Sequence, residues 1–468
     1  MSNPNNPHQR FQNMKRNIFT IAATGLLLSS CGIYNKYKPV QEVPDQLYGE
    51  QPTATDDTAS IADKSWNELF TDPHLAALIE KGLANNTDYL AAQQRVKEAE
   101  ATLLSAKLAY LPSFALAPQG TVSSFDKHKA TQTYTLPVSA SWELDIFGKL
   151  RNAKQQAKAL YAQSEDYRQA VRTQLIAGIA NTYYTLLMLD AQLAISQEAE
   201  TSWKESARST RALMAAGQAN EAAVSQMEAA ALSVSASVLD LKEQINQVKN
   251  SLSLLLAETP HDFQRGTLDG LQLPEQLATG IPVDLLSRRP DVRAAERSLE
   301  QAFYATNQAR ASFYPSVVLS GSAGWTNSAG GYIVNPGKFI ASAVGSLTQP
   351  LFARGQLTGQ LKIAKAKQEE ARLSFEQTLL NAGVEVNEAL EQYQTARSKS
   401  LLFDQQVEAL QKAYRSTSLL MEHGTTTYLE VLTAQQSLLN AQLTQVANRF
   451  AEIQGVVNLY SALGGGAE

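Results

Sequence analysis

A chain of 468 residues that is 44% hydrophobic and 18% charged has apolar material for a sizeable core, and too many charges for a bundle of membrane helices. Its formal net charge of -5 comes with no basic block or basic-aromatic stripe, so nothing is available to neutralise a phosphate backbone and nucleic acid is excluded as a partner. His8, His74, His128, His261 and His423 are scattered without the close spacing of a helix metal site, and no Gly-Lys phosphate cradle occurs, so neither a catalytic nor a metal site is expected.

The chain begins with Arg10, Lys15 and Arg16, then the apolar run Ile18 to Leu28, then Ser29, Ser30 and Cys31. That order reads as a secretory signal peptide over 1–30, because the apolar run is shorter than the roughly 20 residues that span a bilayer. Cys31 is the sole cysteine, so it closes no internal disulfide. The string LLLSSC resembles a bacterial lipobox, which implies that Cys31 becomes the new N-terminus and carries a diacylglycerol and a fatty acyl chain, with no other cofactor. Gly32 follows where an aspartate usually retains such lipoproteins at the inner membrane, so the resemblance points to the outer membrane. Cleavage removes three basic and no acidic residues, leaving 37 positive against 45 negative side chains, net -8. Residues 31–65 are then expected as a lipidated, extended N-terminal segment.

The remainder is written twice. AKLAYLPSF at 106–114 lines up with ARASFYPSV at 309–317, and IFGKL at 146–150 with ARGQL at 353–357. From Gly148 to Gly217 is 69 positions, and from Gly355 to Gly424 is also 69. Such matched punctuation marks an internal repeat, placed at 66–280 and 281–468. No proline lies between Pro137 and Pro260 or after Pro350, and the intervening residues favour helix, so long unbroken helices are predicted over 149–216 and 356–422. Each would reach roughly 100 Å. Return helices are predicted over 220–257 and 427–461. In 171–193 the apolar Val171, Leu175, Ile179, Tyr183, Leu186 and Leu193 recur at three, four or seven and read as packing residues.

Between the helices the period changes. Tyr134, Leu136, Val138, Ala140, Trp142 and Leu144 alternate with small or polar residues, as do Val317 to Trp325 and Phe339 to Leu347. Period two predicts strands over about 113–125, 132–145, 315–326 and 338–350, with polar turns around Asp126 to Thr131 and Asn327 to Pro336. Ten-residue alternating strands flanked by aromatics suit an outer-membrane barrel, and four are too few to close one, so several copies must share it.

SWELDIFGKLR at 141–151, IPVDLLSRRPDVRAAE at 281–296, LEVLTAQQSLLNAQ at 429–442, WNELFTDPHLAALIEKGLANNTD at 66–88 and LGGG at 463–466 together resemble the TolC-like outer-membrane efflux proteins, in their OprM-like lipoprotein branch. The resemblance implies a mainly α fold with a membrane β-barrel: a homotrimer whose twelve strands form one barrel, continuous with a periplasmic helical tunnel. It implies as partners a periplasmic adaptor protein, an inner-membrane transporter of the RND type and outer-membrane lipid, and a passive role as exit duct for small toxic compounds such as drugs. RRPD by itself needs no chemistry: Arg289 precedes proline, Pro290 suits a first helical position and Asp291 complements the helix dipole.

The Gly-marked breaks MAAGQANEAA at 214–223 and MEHGTTTYLEVL at 421–432 are expected at the tunnel tips, with Gly217 and Gly424 as adaptor contacts. Carried over from the family, the ring positions that narrow the entrance fall at Leu429, Glu430 and Thr433. Glu430 and Thr433 depart from the aspartates usual there, and two mechanisms stay open: a cation-attracting ring of Glu430 carboxylates, or an apolar constriction at Leu429. Two other readings fit parts of the chain. A lipid-anchored periplasmic coiled-coil scaffold leaves the strands unexplained, and a duct for protein secretion or for metal or other export uses the same architecture.

Overall fold

The computed structural model describes residues 36–39, 47, 61, 64–124, 126, 129–268, 288–329 and 332–466, so the signal peptide, Cys31, most of 31–65 and the first half of IPVDLLSRRPD lie outside the described residues. The elements run α1 (Trp66–Leu69), α2 (Pro73–Asn85), α3 (Thr87–Leu108), β1 (Ser113–Leu116), β2 (Gln119–Ser123), β3 (Thr131–Leu144), α4 (Lys149–Ala215) and α5 (Glu221–Leu255). The second half gives α6 (Pro290–Ala311), β4 (Ser316–Ala329), β5 (Tyr332–Thr348), α7 (Gln356–Glu422) and α8 (Tyr428–Ala462).

The doubled plan is visible in the lengths. Helices α4 and α7 have 67 residues each, and α5 and α8 have 35 each. All four stop in the same way. Gly217, Ala257, Gly424 and Gly464 stand at φ +76, +54, +69 and +83, and in each case that residue's own amide and the one after it fold back on the last turn. At the first tip Gly217 N donates to Met214 O and Gln218 N to Leu213 O; at the second Gly424 N donates to Met421 O and Thr425 N to Leu420 O. These pairs satisfy carbonyls that a helix end leaves without partners.

The chain divides into two compact units. The first takes Lys97–Gln163, Ala295–Phe375 and the described residues up to Val40, and holds the sheet. Its order is β1-β3-β4-β5, all antiparallel, with β2 on the same edge of β3 as β1. The strand expected over 113–125 is therefore two, and the cause is covalent: Pro118 lies in the gap, one position out of register with Pro137 of β3, and neither has an N–H to give the ladder. On the far side Pro137 faces Gly324, where a Cβ would land on Leu136 O and 2.6 Å from Pro137 Cα, so glycine alone fits. The turn expected over 327–336 is also corrected. Strands β4 and β5 pair through the polar stretch as far as Ala329↔Tyr332, because a backbone ladder does not need apolar side chains. Asn327 stands in at the register shift, its Oδ1 accepting from Tyr134 N at 2.6 Å and its Nδ2 donating to Gln132 O at 2.9 Å.

Register decides what the sheet presents. Leu136, Trp325 and Phe339 stand opposite one another, as do Val138, Ala323 and Ala341, so one face is apolar, while Ser139, Ser322 and Ser342 lie on the other. The apolar face is uncovered: Phe114 is 71% exposed, Phe339 63% and Leu347 69%. Beside the sheet, α6 meets the start of α4 through glutamine pairs, Gln301 to Gln163 at 2.7 Å and Gln308 to Gln156 at 2.6 Å.

The second unit takes residues 164–294 and 376–468 with the described residues from 41 to 96, and holds the main core. Leu75 and Ile79 of α2, Ile176, Ile179, Tyr183, Leu186 and Leu187 of α4, Leu252 of α5 and Tyr460 of α8 are fully buried there. Among the described residues α5 alone is long and apolar enough to pass for a membrane span, yet its buried Met227, Ala231 and Val234 form one stripe packed on Trp203 and Leu439.

Candidate entrance site at the helix tips

Helix α8 starts four residues after Gly424, and its first two turns carry the three residues expected at the entrance. Leu429, Glu430 and Thr433 are all exposed, Leu429 by 52%, while Val431, Gln435 and Leu439 on the opposite face are buried. One face is thus spent on packing and the other is left clear. The packing side rests on a cluster of Trp203, Ala207, Met227, Ala231, Val234 and Leu439, with Tyr428 and Leu432 against it. That cluster draws on α4, α5 and α8 and packs the inner face of α8 against its neighbours.

Glu430 occupies the third helical position, where a carboxylate complements the helix dipole. Its N–H donates to Thr427 O at 3.2 Å and its Oε2 accepts from Thr426 Oγ1. Thr427 is the N-cap but makes no side-chain cap bond. Thr433 Oγ1 donates back to Leu429 O at 2.8 Å, which pins its hydroxyl against its own helix. Neither hydroxyl is committed to another element, so the carboxylate is the one charged group on this face of the first two turns. Chemically the face offers an acid and an apolar side chain one residue apart, with no nucleophile or paired base.

Gly217 and Gly424 each cap a long helix, and a Cβ added at either would meet nothing within 4 Å. Their glycine is required by the left-handed φ alone, and the surface above them is open. The two tip turns share a backbone but differ in chemistry: Ala215, Ala216, Gly217 and Gln218 are exposed and neutral, whereas Glu422, His423, Gly424 and Thr425 are exposed and include a carboxylate and an imidazole.

Away from the tips, the RRPD and LGGG motifs meet. Arg289 is 5% exposed. Its Nε and Nη2 donate to the two Asp291 carboxylate oxygens at 3.0 and 2.5 Å, Nη2 also to Glu385 Oε2 at 2.7 Å, and Nη1 to Ala462 O at 2.8 Å. One guanidinium therefore caps the end of α8 and ties it to the starts of α6 and the middle of α7. Gly464 passes so close that a Cβ would stand 2.9 Å from Arg288 O. Burial alone would raise the Asp291 carboxyl, but the hydrogen bonds and charge of Arg289 outweigh it and hold the group below the ordinary carboxylate range. By itself RRPD reads as a helix start; the clamp joins positions 289, 291, 385 and 462, and no local signal links them. A second missed feature, Gln435 in the buried stripe of α8, did leave a signal: a lone amide between Val431 and Leu439 at spacings of four.

The model of the outer membrane efflux protein family matches residues 78–258 and 281–465, more than half of the chain and both repeats. The antibiotic efflux pump outer membrane protein ArpC of Pseudomonas putida is 30% identical over 468 residues, covering 97% of this chain and 96% of its own length. The cation efflux system protein CusC of Escherichia coli K12 is 27% identical over 445 residues, covering 94% and 97%. The solved structure of the outer-membrane channel OprN matches with a TM-score of 0.84 at 27% identity, over 93% of this chain and all of its own.

Proposed function

Because this chain belongs to the outer membrane efflux protein family, we propose that three copies close one barrel and that the tunnel below it is entered between the tips of α8. Membership carries the coarser points: the protein is an outer-membrane efflux channel with a periplasmic helical tunnel, the exit duct of an efflux pump, mainly α with a membrane β-barrel. The family is one of transport ducts, not of enzymes.

The observation that supports the shared barrel is a sheet with two bare edges. It is four strands wide, with β5 at one edge and β1 and β2 at the other, and its apolar face is uncovered. In lipid an unpaired edge is not tolerated, so the edge of β5 must meet β1 and β2 of another copy, antiparallel as everywhere else in the sheet. Three copies give twelve strands by rotation. Cys31 carries the lipid that fixes the mature N-terminus in the outer membrane. Gly217 and Gly424 mark the turns that the periplasmic adaptor grips, and an inner-membrane RND transporter supplies the cargo.

Small toxic compounds such as drugs are the cargo class. One relative is named for antibiotic efflux and another for cation efflux at similar identity over almost the whole chain, which supports a duct whose selectivity resides in the transporter. At the entrance three Glu430 carboxylates form a cation-attracting ring, with Leu429 beside them as an apolar collar. Replacing Glu430 with Ala is expected to raise single-channel conductance and to weaken block by multivalent cations in planar bilayers; unchanged conductance and block would place Glu430 away from the constriction. Cys31→Ser is expected to lose the added lipid mass, and a variant still carrying it would end the lipobox reading.

A further inference from the structure

The buried face of α8 contains a polar interruption that the entrance residues do not use. Gln435 is 5% exposed, between Val431 and Leu439 in the stripe that faces α4 and α5. Its Nε2 donates to Ser202 Oγ of α4 at 2.9 Å, and Ser202 Oγ lies 3.2 Å from the Tyr414 hydroxyl of α7. A single relay therefore ties three helices together, about two turns inside the start of α8.

The relay is short of partners. Gln435 Oε1 is buried and has no hydrogen-bonding partner among the described residues, and the same holds for the indole Nε1 of Trp203, next to Ser202 in the chain and 0% exposed. Turning the amide over moves the deficit from oxygen to nitrogen without removing it. The bond to Ser202 is the polar contact that holds the Gln435 side chain in place among the described residues. In a stripe otherwise packed by apolar side chains, this relay is the directional fastening. The helix it holds is the one whose other face carries Leu429, Glu430 and Thr433.

We propose that Gln435, held through Ser202 and Tyr414, is the positioning residue that sets where the exposed face of α8 stands in the entrance. This inference rests on the reading of α8 as the entrance helix. Loosening the relay lets α8 move away from the tunnel axis without touching any residue that lines it.

The test is single-channel recording on purified full-length protein carrying Gln435→Leu, Ser202→Ala, both together, or Ser202→Thr. Gln435→Leu and Ser202→Ala are each expected to raise the open fraction about tenfold, the double variant no further because both break one relay, and Ser202→Thr to gate as the wild type because it keeps the hydroxyl. A merely structural role would lower the melting temperature and leave the open fraction alone. Should Gln435→Leu fail to fold, the smaller Ser202→Ala change carries the comparison. A conducting wild type whose open fraction ignores both substitutions overturns this inference alone, whereas a wild type with no conductance overturns the entrance reading and this inference with it.

Discussion

The two repeats share one backbone and fasten its ends differently. Helix α5 begins on Asn220, whose side chain accepts from Ala223 N at 2.9 Å; α8 begins at the equivalent Thr427, whose side chain caps nothing. At the other end α5 stops on Ala257, a residue with a Cβ held at φ +54, while α8 stops on Gly464 at φ +83 with the Arg289 clamp behind it. The first repeat is thus secured at its tip and strained at its far end, and the second is relaxed and clamped at its far end and loose at its tip. The helix lengths are the same in the two repeats, and the side chains at the helix ends are what differ.

The largest expected effect lies at the clamp. Arg289→Ala removes a buried guanidinium from Asp291, Glu385 and the Ala462 carbonyl, and is expected to cost about 3 kcal/mol in denaturant unfolding. Lysine cannot restore the fork, so Arg289→Lys should recover only part of it. The same contact makes stability depend on pH. The Asp291 carboxyl is held below its ordinary value in the folded protein, so its contribution is present above the unfolded carboxylate range and is lost as pH falls through the folded value. Melting curves of Arg289→Ala should show less of that acid-side loss; an unchanged acid profile would mean that the pair contributes little.

Exchanging the residues at the two far ends should give effects of opposite sign. Gly464→Ala imposes a left-handed φ on a residue with a Cβ and pushes it onto Arg288 O, and is expected to cost about 2 kcal/mol. Ala257→Gly relieves the same conformation and should gain about 1 kcal/mol. If both substitutions destabilise, φ is not what distinguishes the two ends.

The smallest effects are at the tips. Asn220→Ala is expected to cost about 1 kcal/mol through the lost cap, and Thr427→Ala only about 0.3 kcal/mol, because no cap bond exists there to lose. Amide hydrogen exchange in the first turns of α5 and α8 reads the difference directly. Equal changes would remove the contrast between the tips.

Much of this was legible in the chain because it is local. Glycines 69 positions apart, and the absence of proline between Pro137 and Pro260, mark helix limits within a residue or two of those found. Alternation from Tyr134 to Leu144 marks a two-faced strand, and Pro118 foreshadows its broken neighbour. What was not legible is what folding brings together: Arg289 with Glu385 and Ala462, or Gln435 with Ser202 and Tyr414. The continuation of the hairpin's strands into 327–336 is hidden for another reason. Its strands pair by backbone and by Asn327, and carry no apolar alternation to announce them.

The most direct test of the central claim combines native mass determination with single-channel recording on detergent-purified wild-type protein. The account predicts a lipid-bearing trimer with a small, cation-selective and mostly closed conductance. A water-soluble monomer or dimer without channel activity would contradict it.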